Sequence, residues 1–512
     1  MKSGRIIILL LFWQLSWSLF GQTFNRPVPA GILYPYEFIQ YDTAFHGYYM
    51  SAPYNQFLSP SYPGFIRPRG IILDKDGYVL WFSLNPTFGY WNFQYQPDTS
   101  EFSYYYQHSP NNVNNHIVLM DSTFQVVSTI PSYNSVPINV HEFHILKNGH
   151  VVYFENRDST MDLSAYTFGG VQGSTTTNVI AYVVMEFDTA HNLVFQWNSL
   201  DHIFPTEEYD QYGYSASSFD YCHGNSIDED TDGNLLVSFR HLNAVYKINH
   251  STGNVIWRLG GKSSSFIFPN DTGFSGQHDV RCMPGGKISI FDNAFTTTHQ
   301  SRAVIYQLDT LNWTATRTWQ YTPNPSFLSK VMGNHQITPD SNHLMDYGDN
   351  RRPYPSIELV NNSGNILSQI YFGDSVISYR SFIYKLPFAL PRPVITCTPG
   401  VGSVTLSAPS GFQQYVWSTG SFNQTITVTD TGVYQVWVNY GIGMVGSQPF
   451  FINDINTACT ITGIPEQVNN IPKGKYVIYD LLGRAVGKQV AGQVYVYRYE
   501  NGEGELRYYG GE

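Results

Sequence analysis

Short apolar runs recur along the chain, each introduced by a tight-turn signal. Asp76-Gly77 leads into Tyr78-Val79-Leu80-Trp81-Phe82, and Asn148-Gly149 into Val151-Val152-Tyr153-Phe154. Asp232-Gly233 precedes Leu235-Leu236-Val237-Ser238-Phe239, Gly285-Gly286 precedes Ile288-Ser289-Ile290-Phe291, and Ser341-Asn342 precedes Leu344-Met345-Asp346-Tyr347. Runs of this length between turn residues predict strands, and no segment carries a helical period. Further strands follow inside each unit: 244–248 then 255–259, 303–308 then 314–321, and 356–360 then 366–371. About four strands per repeat, repeated radially, predict an all-β chain built on a β-propeller. A β-sandwich would place turns every ~8–12 residues without the longer period.

One basic or imidazole residue stands upstream of each turn: Arg69, His141, His223, His278 and His335, with Arg380 opening a last strand. If these strands are the innermost of their sheets, the six side chains converge at one mouth of a central channel. Six blades follow from that count, the last one completed by strands from the N-terminal part. His144, His150, His202, His241, His250, His299 and His343 lack the register and read as structural or surface residues.

Composition narrows the function classes. Charged residues are 13% of the 512, about half the usual share, and aromatics are 16%. A hydrophobic content of 42% excludes intrinsic disorder, and a formal net charge of -11 lacks the basic footprint of a nucleic-acid binder. Of the four cysteines, Cys397 and Cys459 bracket one short region and are expected to staple it, while Cys222 and Cys282 are candidates for a second bridge.

Several imidazoles and guanidiniums around one cavity make an anion trap, because an oxyanion there would receive charge-assisted hydrogen bonds. Imidazole can also serve as nucleophile, acid or base near neutral pH. A metal site is the alternative. However, Glu142 and Asp279, which follow ring histidines, are expected on the opposite strand face, and two arginines in the ring disfavour a cation. No metal and no cofactor are expected.

The stretch Cys222-His223-Gly224-Asn225-Ser226-Ile227, with Ser238-Phe239-Arg240, resembles the arylsulfotransferase family of exported bacterial enzymes. So do Leu259-Gly260-Gly261, Gln277-His278-Asp279-Val280-Arg281 with Ile290-Phe291-Asp292-Asn293, and the closing Ser378-Tyr379-Arg380. The resemblance covers roughly residues 60–388. It implies a six-bladed propeller that moves a sulfuryl group from a phenolic sulfate ester to a phenol without an adenosine-phosphosulfate cofactor. It implies that His278 is the transiently sulfated nucleophile and that His223, Asn225, Arg240 and His141 share the catalytic site. Arg69, His335 and Arg380 are expected to bind substrate. Two positions depart from the family pattern: Cys222 stands where an aromatic is expected, and His335 where no histidine is required. The alternative reading, from another class, is a non-catalytic cell-surface propeller that binds an anionic or sulfated ligand.

Residues 1–21 read as a signal peptide: Lys2 and Arg5, an apolar core at 6–12, and a cleavage point after Gly21. The propeller is expected over 22–390. Residues 391–462, with Trp417 between Cys397 and Cys459, read as a small immunoglobulin-like β-sandwich. The β-rich tail 463–512, with its Tyr479-Asp480-Leu481-Leu482-Gly483-Arg484 core, resembles the C-terminal sorting domain of the type IX secretion system. The expected protein is secreted or attached to the cell surface after crossing the periplasm. Its partners are an aromatic sulfate donor, a phenolic acceptor and the secretion machinery, with no nucleic acid.

Overall fold

The computed structural model describes residues 24–29, 32–42, 47–55, 69–84, 89–109, 112–209, 213–297, 299–350, 352–373, 376–390 and 392–459, and the backbone of 476–479, 493–499 and 504–509. The signal-peptide segment and most of the Tyr479–Arg484 core lie outside the described residues.

Each turn signal folds as its chemistry requires. Gly77, Gly149 and Gly233 sit at φ 78°, 81° and 78°, the left-handed region that a side chain disfavours, and each closes a hairpin, those of Gly149 and Gly233 being the ones that start a sheet. Four successive antiparallel sheets of four strands result. They begin with the strands Gly89–Gln96, Ile138–Ile145, Gly224–Glu229 and His278–Met283. The next sheet starts at Asn334–Ile337 and is extended at its far edge by Tyr36–Gln40, which pairs with Ile366–Phe372. In the last, Ser381–Tyr384 pairs with Tyr48–Ser51, which pairs in turn with Ile71–Leu73. The six strands that lead these sheets pack each against the next, and Gly89–Gln96 meets Ile138–Ile145, so their contacts run in a closed circle. Among the described residues the fold is all-β apart from two short 3-10 turns, and it is β-propeller-like.

The circle revises the sequence count. Arg69 and Arg380 were expected to open two different repeats, yet Ile71–Leu73 and Ser381–Tyr384 belong to one sheet. The sheet that starts at Gly89 supplies the unit that the register count missed, and its inner strand carries Asn92, not a basic residue.

Apolar side chains fill the spaces between neighbouring sheets. Val152, Phe154, Tyr182 and Val184 pack on Ile227, Leu235, Val237 and Phe239 in one such layer. Val245, Trp257 and Leu259 pack on Val280, Ile288 and Val304 in the next. Burying each such side chain contributes about 1.5–3 kcal/mol, so the layers hold the inner strands in fixed register.

Residues 392–458 do not form a separate unit. The strand Gly443–Gly446 pairs with Val79–Ser83 and continues that sheet through Val436–Tyr440 and Tyr415–Trp417. The Trp437 indole donates to the Val79 carbonyl at 3.0 Å, and Arg392 pairs with buried Asp74 at 2.9 Å. The expected boundary at 391 therefore lies inside one compact unit that runs to Ala458. The open edge of Val79–Ser83, a row of unpaired backbone groups, accounts for the joining. Cys397 and Cys459 are both disulfide-bonded, whereas Cys222 and Cys282 are free. In the second unit, Tyr476–Tyr479, Gln493–Tyr499 and Gly504–Tyr509 form an antiparallel three-stranded sheet.

Candidate active site

Irregular backbone places the histidines. The strands of His141 and His278, and the one entered from His223, each shift register against their hairpin partner close to the histidine. His223 and Asp279 adopt φ of 51° and 52°. A bulge of this kind turns a side chain out of the regular alternation. This is why Glu142 and Asp279 do not face away as alternation predicts. Both are buried within the circle of inner strands.

His278 is 2% exposed and its ring is fixed by one amide. The Asn293 Nδ2 donates to the carbonyls of Ser329 and Met332 at 2.8 and 2.9 Å. Its Oδ1 must therefore accept from the His278 Nδ1 at 2.8 Å, which leaves the lone pair on Nε2. The Met332 N–H donates to Nε2 at 3.2 Å, which fits that tautomer. Burial, reinforced by the Arg240 charge, holds His278 well below the ordinary histidine range. It is a neutral imidazole whose Nε2 carries no proton and accepts only the long bond from Met332 among the described residues.

His141 and His223 meet edge to face, with ring centroids 4.7 Å apart. Asn139 Oδ1 accepts from the His141 Nδ1 at 2.7 Å, and burial followed by the neighbouring His223 keeps His141 well below its usual range. The His223 Nδ1 donates to Asp220 at 2.6 Å. Arg240 is tied to the same hairpin, its N–H donating to the His223 carbonyl at 2.9 Å. Its guanidinium lies 5.1 Å from the Phe295 ring centre and donates to the Lys330 carbonyl at 3.2 Å. Buried Asn225 donates to the Gln277 carbonyl at 2.6 Å, and its Oδ1 has no partner among the described residues. The Gln277 Nε2 donates to Ser238, Phe239 and Ala244, clamping the His278 strand to the sheet that carries Arg240. His141, His223, His278 and Arg240 are thus brought together, with Asn225 beneath them.

The three residues expected to bind substrate are placed otherwise. Arg69 leads a strand separated from the inner strand Ser381–Tyr384 by Tyr48–Ser51, and lines a small apolar cavity with Tyr34, Tyr36 and Phe372. His335 is stacked with Trp319 and bonded to His343 at 3.0 Å. The residue that corresponds to His223 in the parallel run Met332-Gly333-Asn334-His335 is Met332, so spacing to the turn misread the register. Arg380 is fully buried and spent on structure. It bonds to Glu142 at 3.1 and 3.2 Å, to the Asn225 carbonyl at 2.6 Å, and approaches Asp279 at 3.5 Å.

Sequence reasoning missed Asp220, His241, Asn293 and Met332. The first has no signal beyond an acid three positions before His223, and His241 was read as structural. An aromatic wall also flanks His141: Tyr379 lies 5.7 Å from its ring, Trp91 6.2 Å from Tyr379, and Tyr54 4.7 Å from Trp91. As to metals, Asp220, His223 and His241 bring ligating atoms within 4.8 Å of one another. Their mutual hydrogen bonds account for that closeness, since the carboxylate and both Nδ1–H groups are already engaged.

The family model described as Arylsulfotransferase (ASST) matches residues 76–373. No curated protein matches the sequence. Among solved structures, a Bacteroides caccae protein of unknown function aligns at 9% identity and TM-score 0.39, over 67% of this chain and 100% of its own. The Pseudomonas aeruginosa periplasmic gluconolactonase aligns at 10% and 0.35, over 67% and 100%. Virginiamycin B lyase from Staphylococcus aureus aligns at 9% and 0.31, over 73% and 96%. At that level of likeness none of them bears on what this chain does.

Proposed function

Since this chain belongs to the arylsulfotransferase family, we propose that it is a six-bladed propeller enzyme that transfers a sulfuryl group between phenols through a sulfated His278, in two steps and without an adenosine-phosphosulfate cofactor. The observation that carries the reading is the neutral, buried His278 with its Nε2 electron pair uncommitted to a proton. It stands near the Arg240 guanidinium, whose charge acts on it, and near the His141 and His223 rings. A non-catalytic anion binder needs the cations but not an oriented nucleophile among them.

A sulfate monoester spreads one negative charge over its oxygens, and its transfer, like phosphoryl transfer, is governed by positioning and electrostatics. Nε2 of His278 attacks sulfur as the bond to the phenolic oxygen breaks, and the departing oxygen takes a proton. Arg240 holds the sulfuryl oxygens, as a donor aimed at developing charge does, while the His141 and His223 rings line the same site. The acceptor phenol then attacks sulfur, and the electron pair returns to Nε2. The wall of Tyr54, Trp91 and Tyr379 suits the aryl ring of donor and acceptor. We extend the reading to export through residues 1–21 and surface attachment through the tail.

The test is phenol release from a fluorogenic aryl sulfate, with and without added phenol. Release accelerated by the acceptor, with the sulfate ester of the acceptor as product, is expected. No release from any aryl sulfate, or release that only yields inorganic sulfate, would contradict the reading.

A further inference from the structure

Asp220 and His241 lie outside every motif, yet they surround His223. The Asp220 Oδ2 accepts from the His223 Nδ1 at 2.6 Å, and its Oδ1 from the His223 backbone N–H at 3.1 Å. The His241 ring is stacked on that of His223, with centroids 4.6 Å apart and planes at 23°, and its Nδ1 donates to the Asp220 carbonyl at 2.6 Å. One carboxylate residue thus anchors two parallel imidazoles, one through its side chain and the other through its backbone.

We propose that Asp220 is a positioning residue that makes His223 the proton donor to the departing phenolic oxygen and the proton acceptor from the incoming phenol. The proposal deepens the sulfotransfer reading and rests on it. With Nδ1 bound to the carboxylate, Nε2 is the one ring nitrogen of His223 left to meet a substrate, and it has no partner among the described residues. A carboxylate on the far nitrogen both fixes the tautomer and stabilises the imidazolium, the arrangement found in acid–base triads.

The neighbours decide which group of the assembly carries the proton. His223 is faced by His141 from one inner strand, by Tyr182, whose hydroxyl lies 3.4 Å from Nδ1, by Asp220, Cys222, Arg240 and His241 of its own hairpin, and by His278 from the next sheet. Burial would raise the Asp220 carboxyl, but the His223 charge and hydrogen bond, with His241 and His141, bring it down to about 2, so it stays ionised. Burial and the adjacent His223 push His241 down to about 3, so two stacked imidazoles do not both charge. His141 and His278 are held neutral by burial as well. His223 is the ring whose Nδ1 rests on the Asp220 carboxylate, which leaves its Nε2 placed to pass a proton to and from substrate.

The balance closes. In the first half, the His278 Nε2–S bond forms, the S–O bond breaks with its electron pair leaving on oxygen, and the His223 Nε2 proton transfers to that oxygen, giving a neutral phenol. In the second half, the acceptor hydroxyl returns a proton to the His223 Nε2 as its oxygen attacks sulfur and the N–S bond breaks.

The test compares leaving groups in single-turnover phenol release. 4-Nitrophenolate departs without help, whereas 4-methylphenolate needs the proton. Asp220→Asn is expected to slow 4-methylphenyl sulfate on the order of 10²-fold more than 4-nitrophenyl sulfate. Asp220→Glu, which restores the charge, should recover most of the difference. Equal losses with both esters, or no loss with either, overturn the proposal. If Asp220→Asn does not fold, Asp220→Ser with added formate gives the same comparison: recovery of the 4-methylphenyl rate supports the assignment and no recovery overturns it. Wild type that turns over neither ester would instead contradict the sulfotransfer reading itself, so the two failures are distinguishable.

Discussion

Replacing Glu142 with Gln should destabilise the protein far more than a surface charge would. The Glu142 carboxylate is 1% exposed and is reached by groups from the neighbouring inner strands, among them Asn92 and the Ile227 N–H. It accepts from Arg281 at 2.8 Å, from Arg380 at 3.1 and 3.2 Å, and from the Phe143 N–H at 2.9 Å. Asp279 is the other acid of the cluster, 2.7 Å from Arg281 and 3.5 Å from Arg380. Two acids thus face two guanidiniums, and Glu142→Gln leaves one buried positive charge unmatched. Breaking such a pair costs about 3–5 kcal/mol, a large part of a total stability of about 5–15 kcal/mol. The sign with pH follows from the carboxyl. Burial would raise it, but Arg281, Arg380 and His144 hold it below the ordinary 4.5. Its contribution is therefore full above about pH 4.5 and is lost as pH falls through the lower folded value. Urea unfolding of wild type and variant at neutral and acid pH measures the gap, which should narrow only in acid. The double variant Glu142→Gln, Arg380→Gln restores the charge balance and should cost less than the sum of the single changes, by about 1–3 kcal/mol. A single-variant loss below about 1 kcal/mol, or strict additivity, would refute this picture of the cluster.

Three further outcomes are expected. Arg240→Ala should lower transfer on the order of 10²–10³-fold while the sulfated intermediate still forms, read by rapid-quench kinetics with intact-mass detection. Because burial and Arg240 keep His278 well below 6.5, phenol release in the first half-reaction should not fall between about pH 8 and pH 6; a drop centred near 6.5 would show the nucleophile titrating there. Asp346 is raised by burial to about 7 despite bonds from Ser378, Ser381 and the Gly348 N–H, so its favourable contribution is lost as pH rises through 7. Asp346→Asn should therefore flatten the decline of Tm between about pH 4 and pH 7, and an unchanged slope would count against it.

The repeat was legible because hairpin turns need glycine or asparagine and because the strand that follows each turn is short and apolar. The proposed nucleophile stands in a motif whose three adjacent residues do different things: Gln277 clamps a neighbouring sheet, His278 presents Nε2, and Asp279 pairs with arginines. What failed did so for physical reasons. Counting back from the turn assumes equal loop lengths, so His335 was aligned with His223 although Met332 holds that place. Simple alternation assumes no bulge, so Glu142 and Asp279 were expected outside the circle that they in fact hold together. N-terminal strands were expected to complete the last sheet and Tyr48–Ser51 does so, but Arg69 and Arg380 were counted as two repeats because nothing local shows that Ile71–Leu73 belongs to that same sheet. Asn293 was visible in its motif, but its role depends on a contact made only in the folded chain.

The central claim is covalent transfer through His278, and one measurement reaches it directly. Purified protein is mixed with an aryl sulfate, quenched rapidly, and analysed by intact mass and peptide mapping, alongside His278→Asn. A single added sulfuryl group on the peptide that contains His278, absent from the variant and discharged by added phenol, is the predicted result. Turnover by wild type with no adduct on any quench time, or an equal adduct in His278→Asn, would contradict it and favour direct displacement with His278 as a base.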